Sequence, residues 1–126
     1  MSKWVLDSSA VLAAIFGEPG HDIAKDRFNG SSISAVNAAE ILSTLADRGH
    51  VTDEDIADFT RLRLKVVDFN LAQAEKVAAL RPLTRHLGLS LGDRSCLALA
   101  ILEGATAVTA DQAWKDLDVC SIEMIR

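Results

Sequence analysis

Short segments with the composition of β-strands alternate along the chain with longer segments whose apolar residues recur every three or four positions. The first pattern is typical of strands and the second of amphipathic helices. The predicted strands are Lys3–Leu6, Ser31–Ser34, Lys65–Phe69, Ala105–Thr109 and Val119–Ile125. The predicted helices are Ser8–Phe16, Asp22–Phe28, Ala35–Arg48, a helix capped by Thr52, a helix from Asn70 to about Pro82, Ser95–Leu102 and Asp111–Leu117, with an irregular link over Leu83–Leu91.

This alternation predicts an α/β fold. Sequential strands joined by helices form a parallel sheet that the helices cover on both faces. Residues 95–102 are almost wholly apolar, so we expect them to form a buried central helix. Because 126 residues make one domain of ordinary size, we expect a single domain over residues 1–126, with a sheet of about five strands.

The composition is that of a soluble globular protein, with 49% hydrophobic and 25% charged residues. No apolar stretch approaches the roughly 20 residues that span a bilayer, and a cytoplasmic location is expected. Cys96 and Cys120 lie in apolar surroundings far apart in sequence, so we expect buried thiols rather than a disulfide. The net charge of −5 opposes non-specific binding to nucleic acid, but this argument weakens if acidic residues bind cations.

Four acidic residues stand where predicted strands end or along predicted helix faces. Asp7 and Asp111 each follow a strand and precede a helix, and Asp93 lies at the start of the most apolar helix. Glu40 shares a helix face with Asn37, three residues earlier. The carboxyl ends of parallel strands meet at one sheet edge, where open α/β sheets bind ligands, so we expect these acids to converge. Each acid taken alone also has a structural explanation, as a helix cap or a solvated side chain.

Converging carboxylates repel one another unless a cation is present, and hard divalent cations prefer oxygen ligands. The pattern therefore predicts a metal site that can activate water for attack on a phosphodiester. Its predicted ligands and catalytic residues are Asp7, Glu40, Asp93 and Asp111. Residues expected to contact the substrate or to support the ligands are Ser8, Asn37, Arg94, Thr109 and Asp116.

Four sequence blocks carry a family resemblance. They are Val5-Leu6-Asp7-Ser8-Ser9-Ala10, Asn37-Ala38-Ala39-Glu40, the stretch from Leu91-Gly92-Asp93-Arg94 to Ala100, and Val108-Thr109-Ala110-Asp111 followed by Trp114. In order and spacing the chain resembles the PIN-domain ribonucleases, and among them the VapC-type toxins of bacterial toxin–antitoxin systems. The resemblance implies a Mg²⁺- or Mn²⁺-dependent endoribonuclease that cleaves tRNA or ribosomal RNA, with Asp7 and Asp93 as the most direct metal ligands.

The resemblance also implies partners. It predicts a small VapB-like antitoxin that wraps the toxin, a toxin–antitoxin hetero-oligomer, and a homodimer with an RNA groove across its two subunits. Cationic or titratable side chains are candidates for contacts with the RNA backbone. These candidates are Arg48, Arg85, His86, Arg94 and Lys115.

Other functions fit the sequence less well. A receiver module needs a second acid directly after the first strand's acid, but Ser8 follows Asp7, and no late strand ends in lysine. A phosphatase with an aspartate nucleophile needs a second aspartate two residues on, where Ser9 stands. The main alternative is a non-catalytic PIN module that only binds RNA or protein, and the intact set of four acids argues against it.

Overall fold

A five-stranded parallel sheet forms the centre of the molecule. The computed structural model describes residues 3–49 and 52–126. The strand order is β3-β2-β1-β4-β5, and every neighbouring pair is parallel. This confirms the predicted fold class. The strands are β1 (Trp4–Leu6), β2 (Ser31–Ser34), β3 (Lys65–Val67), β4 (Thr106–Thr109) and β5 (Ile122–Met124).

Helices cover both faces of the sheet, and the sheet separates the core into two clusters. Side chains alternate between the faces along each strand, so Val5 joins the cluster packed with the fifth and sixth helices, whereas Leu6 joins the cluster packed with the first three. The helices are α1 (Ser8–Phe16), α2 (His21–Asp26), α3 (Ala35–Asp47), α4 (Asp53–Arg61), α5 (Leu71–Thr84) and α6 (Leu91–Glu103), with short 3₁₀ helices at Arg85–Leu87 and Gln112–Trp114.

Helix α6 is the buried central helix that the apolar run predicts. Its residues from Ser95 to Ala100 are all buried, and Gly104 ends it in the left-handed conformation with φ 63°. The helix begins four residues earlier than the apolar run predicts, because Ser90 caps it and the more polar first turn is also helical. Cys96 is buried in this helix, Cys120 is half-buried, and both are free thiols.

Other boundaries differ from the sequence prediction for local reasons. Pro82 lies inside α5 instead of ending it. A proline removes one backbone donor, and in the last turn of a helix that loss affects a single hydrogen bond. Residues 111–117, predicted as an α-helix, form only the 3₁₀ turn Gln112–Trp114. Throughout the part of the chain that the structure describes, each helix is too short or too polar to form a membrane span.

Candidate active site

A cleft of about 370 Å³ opens at the carboxyl edge of the sheet. It lies where β1 and β4 end and where α1 and α6 begin. All four acids that the sequence singles out line this cleft. The lining residues are Asp7, Ser8, Ser9, Leu12, Glu40, Thr44, Asp93, Ala110, Asp111 and Arg126.

Asp7 occupies the N-cap position of α1, yet its carboxylate caps nothing. Instead, two hydroxyls donate hydrogen bonds to its Oδ2 atom, from Ser9 at 2.6 Å and from Thr109 at 2.9 Å. Ser9 Oγ also accepts a bond of 2.9 Å from the backbone N–H of Ala110. The end of β1 is thus tied to the end of β4 and to the first turn of α1, and Asp7 lines the cleft.

Glu40 is held by polar side chains on two elements. Ser8 donates to Glu40 Oε1 at 2.7 Å, and Asn37 Nδ2 donates to the same oxygen at 2.9 Å. Asn37 is fully buried, and its amide also reaches the carbonyl oxygen of Gly92 at 3.0 Å. These bonds connect α1, α3 and α6 around one carboxylate.

Asp93 is the third residue of α6 and completes a capping box with Ser90. Its backbone N–H donates to Ser90 Oγ at 3.1 Å, and its Oδ2 accepts a bond of 2.8 Å from the Ser90 backbone N–H. Asp93 is therefore both a helix-capping residue and a cleft residue. One carboxylate oxygen accepts the capping hydrogen bond, and the side chain still lines the cleft.

Asp111 is anchored in the same manner. It caps the 3₁₀ turn after β4, with Oδ1 accepting a bond of 2.9 Å from the Ala113 backbone N–H. Its own N–H donates to Thr109 Oγ1 at 3.0 Å. Among the hydrogen bonds of the described residues, those to the carboxylates of Asp7, Glu40, Asp93 and Asp111 all fall on one oxygen of each group. The second oxygen of each acid accepts none of these hydrogen bonds.

Burial and neighbouring negative charges both raise the pKa of two acids of the cleft. The pKa of Asp7 is raised from 3.8 to about 6, first by burial and also by the negative charges of Asp93 and Glu40, while the hydrogen bonds from Ser9 and Thr109 act in the opposite direction. Burial also raises the pKa of Asp93, and the nearby charges of Asp111 and Glu40 act in the same direction. A bound cation would relieve both effects.

The donor chemistry of the cleft fits a hard divalent cation. Carboxylate oxygens are the ligands that Mg²⁺ and Mn²⁺ prefer, and four of them line one small volume. Within residues 3–49 and 52–126, no three His, Cys, Asp or Glu side chains are already grouped at metal-binding distances. Mg²⁺ in proteins usually keeps several waters and is bound through one or two carboxylates, so an ion in this cleft would not need direct contact with all four acids.

The remaining predicted residues divide into two groups. Ser8, Asn37 and Thr109 bind the acids directly through the hydrogen bonds given above. Arg94 and Asp116 are not among the residues that line the cleft. The Arg94 guanidinium donates to the Val77 carbonyl of α5 at 3.2 Å, and Asp116 is exposed beyond the 3₁₀ turn.

Ser9 and Arg126 line the cleft but are not among the site residues that the sequence predicts. The signal for Ser9 is its place two residues after Asp7, from which its hydroxyl bonds to that carboxylate. The signal for Arg126 is its place in the topology, because residues that follow the last parallel strand emerge at the same edge as those that follow β1 and β4.

The comparisons with known proteins identify the family and the fold of the chain. The model of the PIN domain family matches residues 4–119, so the chain belongs to the PIN domain family. PIN domains are generally nucleases. The match to the family model confirms the family resemblance of the four sequence blocks. Among curated proteins, none matches the chain significantly.

Several solved structures share the fold. A chain of the VapBC complex from Salmonella typhimurium, solved bound to DNA, superposes with a TM-score of 0.76 at 18% identity, covering 100% of both chains. A chain of VapBC2 from Rickettsia felis, bound to a DNA fragment from the promoter, gives 0.75 at 20% identity, covering 96% of this chain and 97% of that one. FitAcB from Neisseria gonorrhoeae gives 0.68 at 16% identity, covering 97% of each chain.

Proposed function

We propose that this protein is the toxin of a VapBC-type toxin–antitoxin system and acts as a divalent-metal-dependent endoribonuclease. The observation that carries the proposal is the cleft itself. Four carboxylates from β1, α3, α6 and the turn after β4 line it, and hydrogen bonds fix one oxygen of each. Membership of the PIN family and the likeness to VapBC complexes support the same reading.

Each acid has a role in this proposal. Asp7 and Asp93 are the most direct ligands of Mg²⁺ or Mn²⁺, and Glu40 and Asp111 complete the site. When bound, a divalent cation supplies a Lewis acid that lowers the pKa of water and offsets negative charge on the phosphate. The hydroxyls of Ser8, Ser9 and Thr109 hold the carboxylates in place, so that less reorganisation is needed during the reaction.

The reaction is hydrolysis of a phosphodiester. A water oxygen attacks the phosphorus and gives up a proton to a carboxylate, the bond from phosphorus to one ribose oxygen breaks, and that ribose oxygen takes up a proton from solvent. Glu40 is suited to accept the proton of the attacking water at Oε2, because Ser8 and Asn37 already occupy Oε1. No side chain of the cleft needs to form a covalent bond to the substrate.

The partners follow from the same reading. The substrate is RNA, with tRNA or ribosomal RNA as the expected target, and cleavage halts translation in the cytoplasm. A VapB-like antitoxin neutralises the toxin, and a cationic side chain inserted into the acidic cleft is the electrostatic complement of four carboxylates. The VapBC structures above are themselves toxin–antitoxin complexes, which supports such a partner. A homodimer and a toxin–antitoxin hetero-oligomer are part of the proposal.

The test is incubation of the purified protein with total bacterial RNA in Mg²⁺, Mn²⁺ or EDTA, followed by sequencing of new 5′ ends. Asp7→Asn is the test variant. Asp47→Asn is the matched control, because this exposed aspartate ends α3 and lies outside the cleft. Discrete cuts that require both a metal and Asp7 would support the proposal and name the substrate. Protein free of antitoxin that binds RNA without cutting it under any metal would instead favour the non-catalytic PIN module.

A further inference from the structure

One residue that lines the acidic cleft is cationic and has no role in the proposed mechanism. Arg126 lines the cleft and is the only lysine or arginine among the described residues that do so. An RNA strand entering a cleft of four carboxylates meets strong repulsion. A resident guanidinium at its rim lowers that repulsion where the strand passes.

Arg126 is held in place at the rim of the cleft. Its Nη1 atom donates to the Pro19 carbonyl at 3.0 Å and lies 4.0 Å from a Glu18 carboxylate oxygen. Its backbone carbonyl accepts a bond of 2.7 Å from Gln112 Nε2. The preceding residue is fixed as well, because the Gly20 backbone packs so closely on the Ile125 carbonyl that a Cβ on Gly20 would overlap it.

The contacts of Arg126 also argue that this residue does not inhibit the site by pairing with its acids. Both side-chain contacts reach the loop between α1 and α2, on Pro19 and Glu18, rather than the four acids of the cleft. A guanidinium carries five donors in a planar fork, so two contacts at Nη1 leave it able to bind a further anion. Its side chain is 36% exposed, which keeps those donors accessible.

We propose that Arg126 binds a phosphate of the RNA strand next to the cleaved bond and sets where the strand crosses the cleft. This inference rests on the proposed ribonuclease function and adds a substrate-binding residue to it. The ligand class is a nucleic-acid phosphodiester, for which the arginine fork offers two parallel hydrogen bonds. Lysine at this position would keep the charge but lose the fork.

The test compares steady-state cleavage of a labelled single-stranded RNA that spans a mapped site. Arg126→Ala is expected to raise KM about tenfold while changing kcat less, since one phosphate contact is removed. The slope of log affinity against log salt should fall by about 0.7 for one contact to a single strand. The KM of Arg126→Lys should lie between that of the wild type and that of Arg126→Ala. Arg81→Ala is the matched control, because this exposed arginine of α5 is not among the cleft residues.

Glu18→Gln separates phosphate binding from a purely structural role. Removing the carboxylate beside Arg126 should lower KM, because the guanidinium no longer shares its charge with Glu18. If Arg126 only tethers the chain to the α1–α2 loop, Glu18→Gln should instead resemble a weak form of Arg126→Ala, and both should lower the melting temperature without changing the salt slope. That result would overturn the inference.

Failure of the inference differs from failure of the proposed function. If the wild type cleaves RNA and Arg126→Ala has an unchanged KM and salt slope, the function stands and the role of Arg126 is wrong. If the wild type cleaves nothing, the same labelled RNA serves for fluorescence anisotropy in Mg²⁺ with the intact proteins. An affinity loss of about tenfold on Arg126→Ala would then keep the phosphate contact while the nuclease assignment falls.

Discussion

Gly92 provides the space that the Glu40 carboxylate occupies. A Cβ built on Gly92 would overlap both carboxylate oxygens of Glu40, and the Gly92 carbonyl binds the same Asn37 amide that holds Glu40. The first turn of α6 therefore sets the position of an acid carried by α3. No residue with a side chain can stand at position 92 while Glu40 keeps its place.

Gly92→Ala should displace Glu40 and lower cleavage at least tenfold, a loss of about 1.4 kcal/mol of transition-state stabilisation. The measurement is kcat/KM, with circular dichroism to verify the fold. A double-mutant cycle provides the control, because Gly92→Ala should have little further effect on activity in a Glu40→Ala protein. In that background the added methyl should raise stability by up to about 1 kcal/mol through helix propensity. Equal losses of activity in both backgrounds would show that Gly92 does not act through Glu40.

Asp7→Asn should stabilise the metal-free protein at neutral pH. The pKa of Asp7 is raised from 3.8 to about 6, so the folded state binds this proton more tightly than the unfolded state. The wild type should therefore lose stability as pH rises from about 4 to about 6, by on the order of 3 kcal/mol from this group. Urea unfolding in EDTA from pH 4 to pH 8 measures the effect.

The difference between the wild type and Asp7→Asn isolates Asp7 from other titrating groups. This difference in unfolding free energy should be small near pH 4 and largest above pH 6. A variant that is less stable than the wild type across the whole range would mean that the carboxylate is a structural partner of Ser9 and Thr109 rather than a strained, like-charged ligand.

Mg²⁺ or Mn²⁺ should raise the melting temperature of the wild type in a concentration-dependent manner. At one hundred times the dissociation constant, a ligand specific for the folded state adds about 2.7 kcal/mol. Asp7→Asn and Asp93→Asn should lose most of this shift, whereas the exposed control Asp47→Asn should keep it. An identical shift in all four proteins would place the ion elsewhere on the molecule.

Ser9→Ala should weaken the site and the fold together. The substitution removes a hydrogen bond that lowers the pKa of Asp7, and it leaves the Ala110 N–H without its acceptor. A loss of about 1–3 kcal/mol in unfolding free energy is expected for the unsatisfied group, and the pH at which metal binding reaches half its maximum should move upward. Ser43→Ala is the control, because Ser43 lies exposed on α3. Equal effects of the two substitutions would contradict the role of Ser9.

The parallel sheet and the shared edge of the acids were predictable from local patterns. A strand followed by an acid and a helix occurs at both Asp7 and Asp111, and parallel pairing brings such junctions together. The four acids do line one cleft, while their catalytic and metal-binding roles remain proposals.

What local patterns left open depends on contacts between distant residues. Ser9 reaches Ala110 and Thr109, about a hundred residues away in sequence, and Arg126 reaches Pro19. The placement of Arg94 on the Val77 carbonyl is likewise a matter of how α5 packs on α6. Residue type alone does not distinguish an arginine that packs between helices from one that faces an anion.

The cleft draws on almost the full length of the sequence, since Asp7 lies in its first segment and Asp111 and Arg126 in its last. A ribosome that has made the chain as far as Asp93 has produced three of the acids but neither β4, which supplies Thr109 to Asp7, nor the turn that carries Asp111. The complete cleft therefore forms only after the final elements have been synthesised and have docked on β1. If the protein attacks the translation machinery as proposed, the growing chain would lack its complete cleft until residues 106–126 have been made.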